Sequence, residues 1–279
     1  MEMLYTMMDA LLPFEWLHYT FMKNALLAML LIAPLFGLLG TMAVDNKMAF
    51  FSDALGHSAL TGIGLGIVLG VSSDLLAMLV FGVIWALLIS RIKQTGAAST
   101  DTVISVFSST SIAAGLLILS RGGGFAKYST LLVGDVLAVT PRDLGYLLIA
   151  LIGGAALWAA MYNHLLLGSI NPSLARTRGV HTRLIECLFV VLVAVAVMLA
   201  IKWVGVMLIN ALLILPAAAG RNLARSSRSH AIWSVAIAMV SGVAGLLSAY
   251  AWDTSAGAAI VLFAAGWYFV SLAARRFVK

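Results

Sequence analysis

Asp53 and His57 stand four residues apart in Ser52-Asp53-Ala54-Leu55-Gly56-His57-Ser58, at the start of an apolar stretch. On a helix that spacing puts both side chains on one face, within reach of a shared ion. A carboxylate with an imidazole is a mixed hard and borderline ligand pair, suited to Zn2+, Mn2+ or Fe2+ more than to Mg2+ or Cu+. The pair also fits plainer roles: an Asp–His hydrogen bond, or an N-cap with the carboxylate at the positive end of the helix dipole. Two ligands do not close a metal site. Further donors have to come from elsewhere in the chain, from a second copy or from water.

Other polar positions lie in apolar surroundings. Asp135, in Leu132-Val133-Gly134-Asp135-Val136-Leu137, sits between loop glycines and Pro141 and reads as part of a re-entrant or interfacial element. Asn210, within Leu208-Ile209-Asn210-Ala211-Leu212, is an amide that bonds across helices or lines a path. Asp101 follows Ser99-Thr100 and fits a helix N-cap, and Asp253 belongs to a polar turn. His164, His181 and His230 are expected in loops on the cytoplasmic side, where an exposed histidine has no special role, and His18 precedes the first span and is as uninformative.

These residues are carried by a chain built for lipid. Of 279 residues, 62% are hydrophobic and 10% charged, against about a quarter charged in soluble domains. Seventeen basic and 11 acidic side chains cannot coat a water-facing surface of this size. The apolar residues come in blocks of about 17–25, long enough to cross a hydrocarbon core as helix. The expected fold is an all-α, polytopic transmembrane helical bundle surrounded by lipid, forming one domain over residues 1–279. A soluble globule, a disordered tail and a disulfide scaffold are excluded; the single cysteine, Cys187, lies inside an apolar run.

Nine spans are expected, over about 20–44, 53–70, 75–91, 101–119, 143–162, 184–201, 203–219, 231–250 and 256–273. Only Lys202 and Trp203 separate the sixth and seventh, so eight crossings and one irregular segment fit equally. Residues 1–19 carry Glu2, Asp9 and Glu15 without Lys or Arg, and read as an amphipathic segment rather than a cleavable signal. With nine spans, twelve Lys and Arg fall on one face together with the C-terminus, and five on the other (Lys23, Arg121, Lys127, Arg142 and Lys202). By the positive-inside rule the twelve-cation face is cytoplasmic. The net charge of +6 is thereby explained by topology, without nucleic acid. This topology puts Asp53 near the cytoplasmic end of its span, whereas a site that receives cargo from outside belongs nearer the exterior. A displaced or broken first span would move it. In the second span, Ala54, Ser58, Gly62, Gly66 and Gly70 recur every four residues and predict a helix-packing ridge.

Several chemistries are missing from the sequence. It contains no His-Glu-x-x-His, no Gly-x-Ser-x-Gly and no Walker A loop; Gly122-Gly123-Gly124-Phe125-Ala126-Lys127 has the wrong spacing. The chain is therefore expected not to be an enzyme, and any ATP hydrolysis falls to a separate subunit. Residues 169–180 read as a short basic helix in a loop. Asn171 serves as its cap, Pro172 as its first residue and Gly179 as its stop, and Leu174, Ala175 and Arg176 form its body. Such a helix is either a docking knob for a cytosolic partner or an ordinary loop helix.

Four ordered motifs together resemble the permease subunits of zinc, manganese and iron ABC importers, nearest to the zinc permeases. The resemblance covers nearly the whole chain from about residue 12. Met48-Ala49-Phe50-Phe51-Ser52-Asp53-Ala54-Leu55-Gly56-His57-Ser58-Ala59-Leu60 resembles the family's aromatic–Gly–Asp–x–x–x–His–Ala signature. Leu132-Val133-Gly134-Asp135-Val136-Leu137 with Pro141-Arg142-Asp143-Leu144 is similar to its Phe-Gly-Asp-x-Leu and Pro-x-Asp-Leu stretch. Val204-Gly205-Val206-Met207 through Leu215-Pro216-Ala217-Ala218-Ala219, and Trp252-Asp253-Thr254-Ser255-Ala256-Gly257, match two further blocks. Ser52 replaces the usual Gly, and Ser255 the usual Pro.

The resemblance implies that Asp53 and His57 contact metal in transit, with Asp135 and Asn210 as weaker path candidates. It implies that the 169–180 helix docks on the ATPase through Asn171, Pro172, Leu174, Ala175, Arg176 and Gly179. It further implies a homodimer in the bacterial cytoplasmic membrane, with cytosolic ATP-binding subunits and an external metal-binding protein. Zn2+ is then the transported ion, with Mn2+ or Fe2+ as alternatives, and no cofactor is permanently bound. A stand-alone transporter or channel driven by an ion gradient is the competing reading.

Overall fold

Nine long apolar stretches fold as helices in the computed structural model, which describes residues 5–6, 8–9, 15–121, 125–128 and 130–278. They are α1 (Thr20–Asp45), α2 (Phe51–Val68), α3 (Asp74–Thr95), α4 (Thr100–Arg121) and α5 (Pro141–Ile170), then, after a short α6 (Pro172–Thr177), α7 (Thr182–Val204), α8 (Val206–Leu223), α9 (Ser227–Trp252) and α10 (Ala256–Val278). No β-strand is present among the described residues. Eight of the nine are long and apolar enough to cross a membrane, which makes this a multi-pass membrane protein. The ninth, α2, is diluted by Asp53, His57 and its small residues, yet most of its 18 residues are buried.

Local chemistry sets the helix ends. Ser73 Oγ accepts from Leu76 N–H at the start of α3, and Gly96 closes that helix in the left-handed region at φ 70°. Ser99 Oγ accepts from Thr102 N–H at 3.2 Å, so Ser99 caps α4 and the expected cap, Asp101, falls in its first turn. Before α5, Thr140 N–H donates to Asp143 Oδ2 at 3.0 Å and Pro141 takes the first helical position. The break between the sixth and seventh spans is at Gly205, not at Lys202 and Trp203. Lys202 stays helical because its ammonium lies over the Trp203 ring at the helix end, while Gly205 adopts φ 82°.

α1, α2, α7 and α8 form the interior, and α3, α4, α5, α9 and α10 surround them. The small-residue ridge packs as expected from Ala54 to Gly66, but its last member, Gly70, lies beyond the end of α2, exposed at φ 72° and against no neighbour. Gly62 and Gly66 lie against Ala77 and Met78 of α3, and Thr61 Oγ1 on the neighbouring turn donates to the Ser111 carbonyl of α4. Close backbone approach replaces the hydrophobic effect that lipid does not supply.

Successive helices alternate in direction. One face therefore gathers the loops 46–50, 96–99, 171–181 and 224–226 with the end of α10, and we call it the basic face. Ion pairs tie it together: Lys93–Glu186 at 2.9 Å and Arg221–Asp45 at 3.4 Å. On the opposite face, three short turns, Phe125–Tyr128, Thr130–Val133 and Val136–Ala138, lead from α4 to α5. There Gly134 (φ 75°) meets Gly205 backbone to backbone. A Cβ on Gly134 would collide with the Val204 carbonyl, and one on Gly205 with Gly134 itself. Of the amphipathic segment expected over 1–19, residues 1–4, 7 and 10–14 lie outside the described residues; Glu15–His18 forms one 3-10 turn, and Asp9 pairs with Lys23 at 2.6 Å.

Candidate metal centre

α2 begins inside the bundle rather than at its edge. After α1 ends at Asp45, Lys47 takes a left-handed turn (φ 56°) and residues 46–50 carry the chain back inward. The first turn of α2 then faces the interior of two other helices. Asn210 Nδ2 of α8 donates to Asp53 Oδ1 at 3.0 Å, and Ser108 Oγ of α4 donates to Asp53 Oδ2 at 3.1 Å. Asn210 lies eleven residues before Arg221 on α8, and Ser108 eight residues after Thr100 on α4. At ~1.5 Å per residue these offsets place Asp53 about 12–16 Å inward of the basic face. The inset start of α2, not a broken first span, moves the site toward the middle of the protein.

His57, one turn on, directs Nε2 to Asp53 Oδ1 at 3.4 Å. Gly56 lies against Val206, where a Cβ would collide with the valine side chain. This near contact of α2 with the start of α8 lets the short Asn210 side chain reach Asp53. The site is open on one side: the Asp53 side chain is 42% exposed and that of His57 23%. Met207, one turn from Asn210 on the same face of α8, is exposed as well.

The arrangement offers a carboxylate, an imidazole nitrogen, a hydroxyl and an amide. Among the described residues no third His, Cys, Asp or Glu joins the pair. Such a set suits a borderline divalent ion held loosely, with its remaining positions filled by water or a second copy. The His57 nitrogen that faces the carboxylate acts as a donor to it.

The structure brings Asn210 to Asp53 but not Asp135. Asp135 lies on the opposite face, where its Oδ1 accepts from Leu137 N–H at 3.0 Å and caps the Val136–Ala138 turn. Ser108 has no distinguishing signal in a helix rich in hydroxyls and was not foreseen. The helix expected over 169–180 is α6, shorter than expected because Ser169 and Ile170 end α5. Its caps are as read: Asn171 Oδ1 accepts from Leu174 N–H at 3.0 Å, and Gly179 (φ 75°) lets Val180 N–H return to the Ala175 carbonyl. Leu174 is exposed and Ala175 buried. His230 is not a loop residue. α9 starts at Ser227, so the ring is buried, with Nε2 2.9 Å from the Ala217 carbonyl and Nδ1 3.5 Å from Asp45 Oδ2.

Residues 18–275 match the ABC 3 transport family. The chain belongs to that family. Among its relatives, the high-affinity zinc uptake system membrane protein ZnuB of Haemophilus influenzae is 31% identical over 249 residues, covering 89% of this chain and 95% of that one. The manganese import system permease protein ScaB of Streptococcus parasanguinis is 30% identical over 258 residues, with 91% and 90% covered. The solved structure of PsaBC from Streptococcus pneumoniae in complex with Fab superimposes with a TM-score of 0.78 at 27% identity, over 98% of this chain and 95% of that one. A second neighbour, in fold alone, is the structure titled an inward-facing conformation of a putative metal-chelate type ABC transporter, with a TM-score of 0.72 at 14% identity over 90% of this chain and 85% of that one.

Proposed function

We propose that this chain is the permease subunit of an ATP-driven importer of a divalent transition metal, Zn2+ first and Mn2+ or Fe2+ as alternatives. The observation that carries the reading is Asp53 and His57 meeting on one helix face, well inward of the basic face, in a chain of the ABC 3 transport family. Its relatives named for zinc uptake and manganese import support the same class of cargo.

In this reading the permease is a single transmembrane domain of the bacterial cytoplasmic membrane, with the basic face and the C-terminus in the cytosol. Two copies pair so that the open sides of their Asp53–His57 sites face one path, and the second copy supplies the donors that one copy lacks. An external metal-binding protein delivers the ion. Cytosolic ATP-binding subunits dock on α6, where Asn171, Pro172 and Gly179 fix the helix and Leu174, Ala175 and Arg176 form its body. ATP-driven movement at α6 passes along α5 and rocks the helices between outward and inward access. The site binds without trapping: few ligands and a hydrated open side keep the ion exchangeable.

The test is metal content in starved cells that express the permease with its partners. Wild type accumulates zinc, while Asp53→Ala and His57→Ala assemble normally and accumulate none. Manganese or iron rising instead would change the cargo and keep the mechanism. Normal uptake by Asp53→Ala would sink the site assignment, and uptake in vesicles without ATPase would favour a gradient-driven transporter.

A further inference from the structure

Asn210 presents its two ends unequally. Its Nδ2 donates to Asp53 Oδ1, the same oxygen that faces His57 Nε2. Its Oδ1 is buried and accepts no hydrogen bond. An amide oxygen held away from water without a partner is an unfavourable arrangement that native interiors rarely keep. Here it sits at a site whose other groups, a carboxylate and an imidazole, are metal donors. An amide carbonyl is a hard oxygen ligand of the kind divalent ions accept.

We infer that Asn210 is a metal ligand held in reserve. In the empty site its N–H stands where positive charge belongs, against the Asp53 carboxylate, and keeps that side chain in place. When a divalent ion arrives beside Asp53, rotation of the amide by a half-turn about Cβ–Cγ withdraws the N–H and presents Oδ1 to the ion. Without an ion that rotation sets oxygen against oxygen and is opposed. The exchange makes coordination conditional on cargo. Release is assisted as well, because the N–H returns to Asp53 as the ion leaves and spares the carboxylate an unpaired state. Gly56 makes the reach possible by letting α8 approach α2. The inference rests on Asp53 and His57 being the cargo site, and it adds a third ligand from a different helix, so occupancy couples α2 to α8.

The test uses the full chain in nanodiscs, with ZnCl2 and MnCl2 as separate probes. Metal-induced infrared difference spectra of protein labelled with 13C-asparagine should show a side-chain amide carbonyl band moving to lower wavenumber. The band should be absent from Asn210→Asp, and Asn210→Leu should weaken metal binding by roughly tenfold or more. A merely positioning asparagine leaves the carbonyl band unmoved, and that result overturns the inference. Asp53→Ala in the same preparation separates the two readings. If Asp53→Ala abolishes binding while the amide band stays still, only the role of Asn210 falls. If Asp53→Ala binds metal as wild type does, the cargo site itself is misplaced and the inference goes with it. Because the band is read on wild-type protein, a poorly folding variant does not blunt the test.

Discussion

At the face opposite the basic loops, Gly134 and Gly205 meet with no side chain between them, both at positive φ. At the basic face, the helices are joined by side chains at ion-pair distance: Asp45 to Arg221 and to His230, and Lys93 to Glu186. The first contact is steric and short-ranged. It is either made or broken, and neither segment can slide past the other. The second kind of contact tolerates ångström displacements, since long side chains can follow a moving partner and water can cover an opened pair. A bundle built this way pivots more cheaply at its basic end than at its opposite end.

The contrast can be broken most violently at the glycines. Gly205→Val combines a backbone conformation that valine disfavours with a collision against Gly134, and should cost several kcal/mol, on the order of 3 or more. Size-exclusion chromatography should show little monodisperse protein. A well-behaved Gly205→Val would mean that the seam is not rigid. His230→Ala should come next. It removes a buried donor from the Ala217 carbonyl and a neighbour from Asp45, a loss of about 1–3 kcal/mol visible as a lower apparent unfolding temperature. Arg221→Ala should do least, within about 1 kcal/mol, because its side chain is largely exposed. An Arg221→Ala effect as large as that of His230→Ala would show that the basic face is clamped as firmly as the glycine seam.

The sequence read most of this architecture through hydrophobicity and small residues. Nine apolar blocks became nine helices, and the ridge from Ala54 to Gly66 packed. Its errors have local causes. Lys202 looked like a loop because it is charged, but a lysine at a helix end keeps its stem helical and lays its ammonium over Trp203, while the true breaker, Gly205, was hidden among apolar neighbours. His230 reads as a loop residue because hydrophobicity begins the span only at Ile232 and its neighbours, while α9 already starts after the Ser226 cap, which accepts from Ser229 N–H. At the candidate site, the i, i+4 spacing made Asp53 and His57 legible. Asn210 and Ser108 reach the same carboxylate from 157 and 55 positions away, and no periodicity in one chain brings them together. Depth was also beyond loop charges, which count sides of a membrane and not distances into it.

α5 has a further consequence. Its 30 residues make a rod of about 45 Å, against a hydrocarbon core of about 30 Å. The rod therefore tilts or reaches past the lipid tails, and the capped peg of α6 is joined directly to its end at the basic face. A protein that grips the peg works on the end of a lever whose fulcrum is the membrane, so it can turn the buried portion of the rod without touching the bilayer.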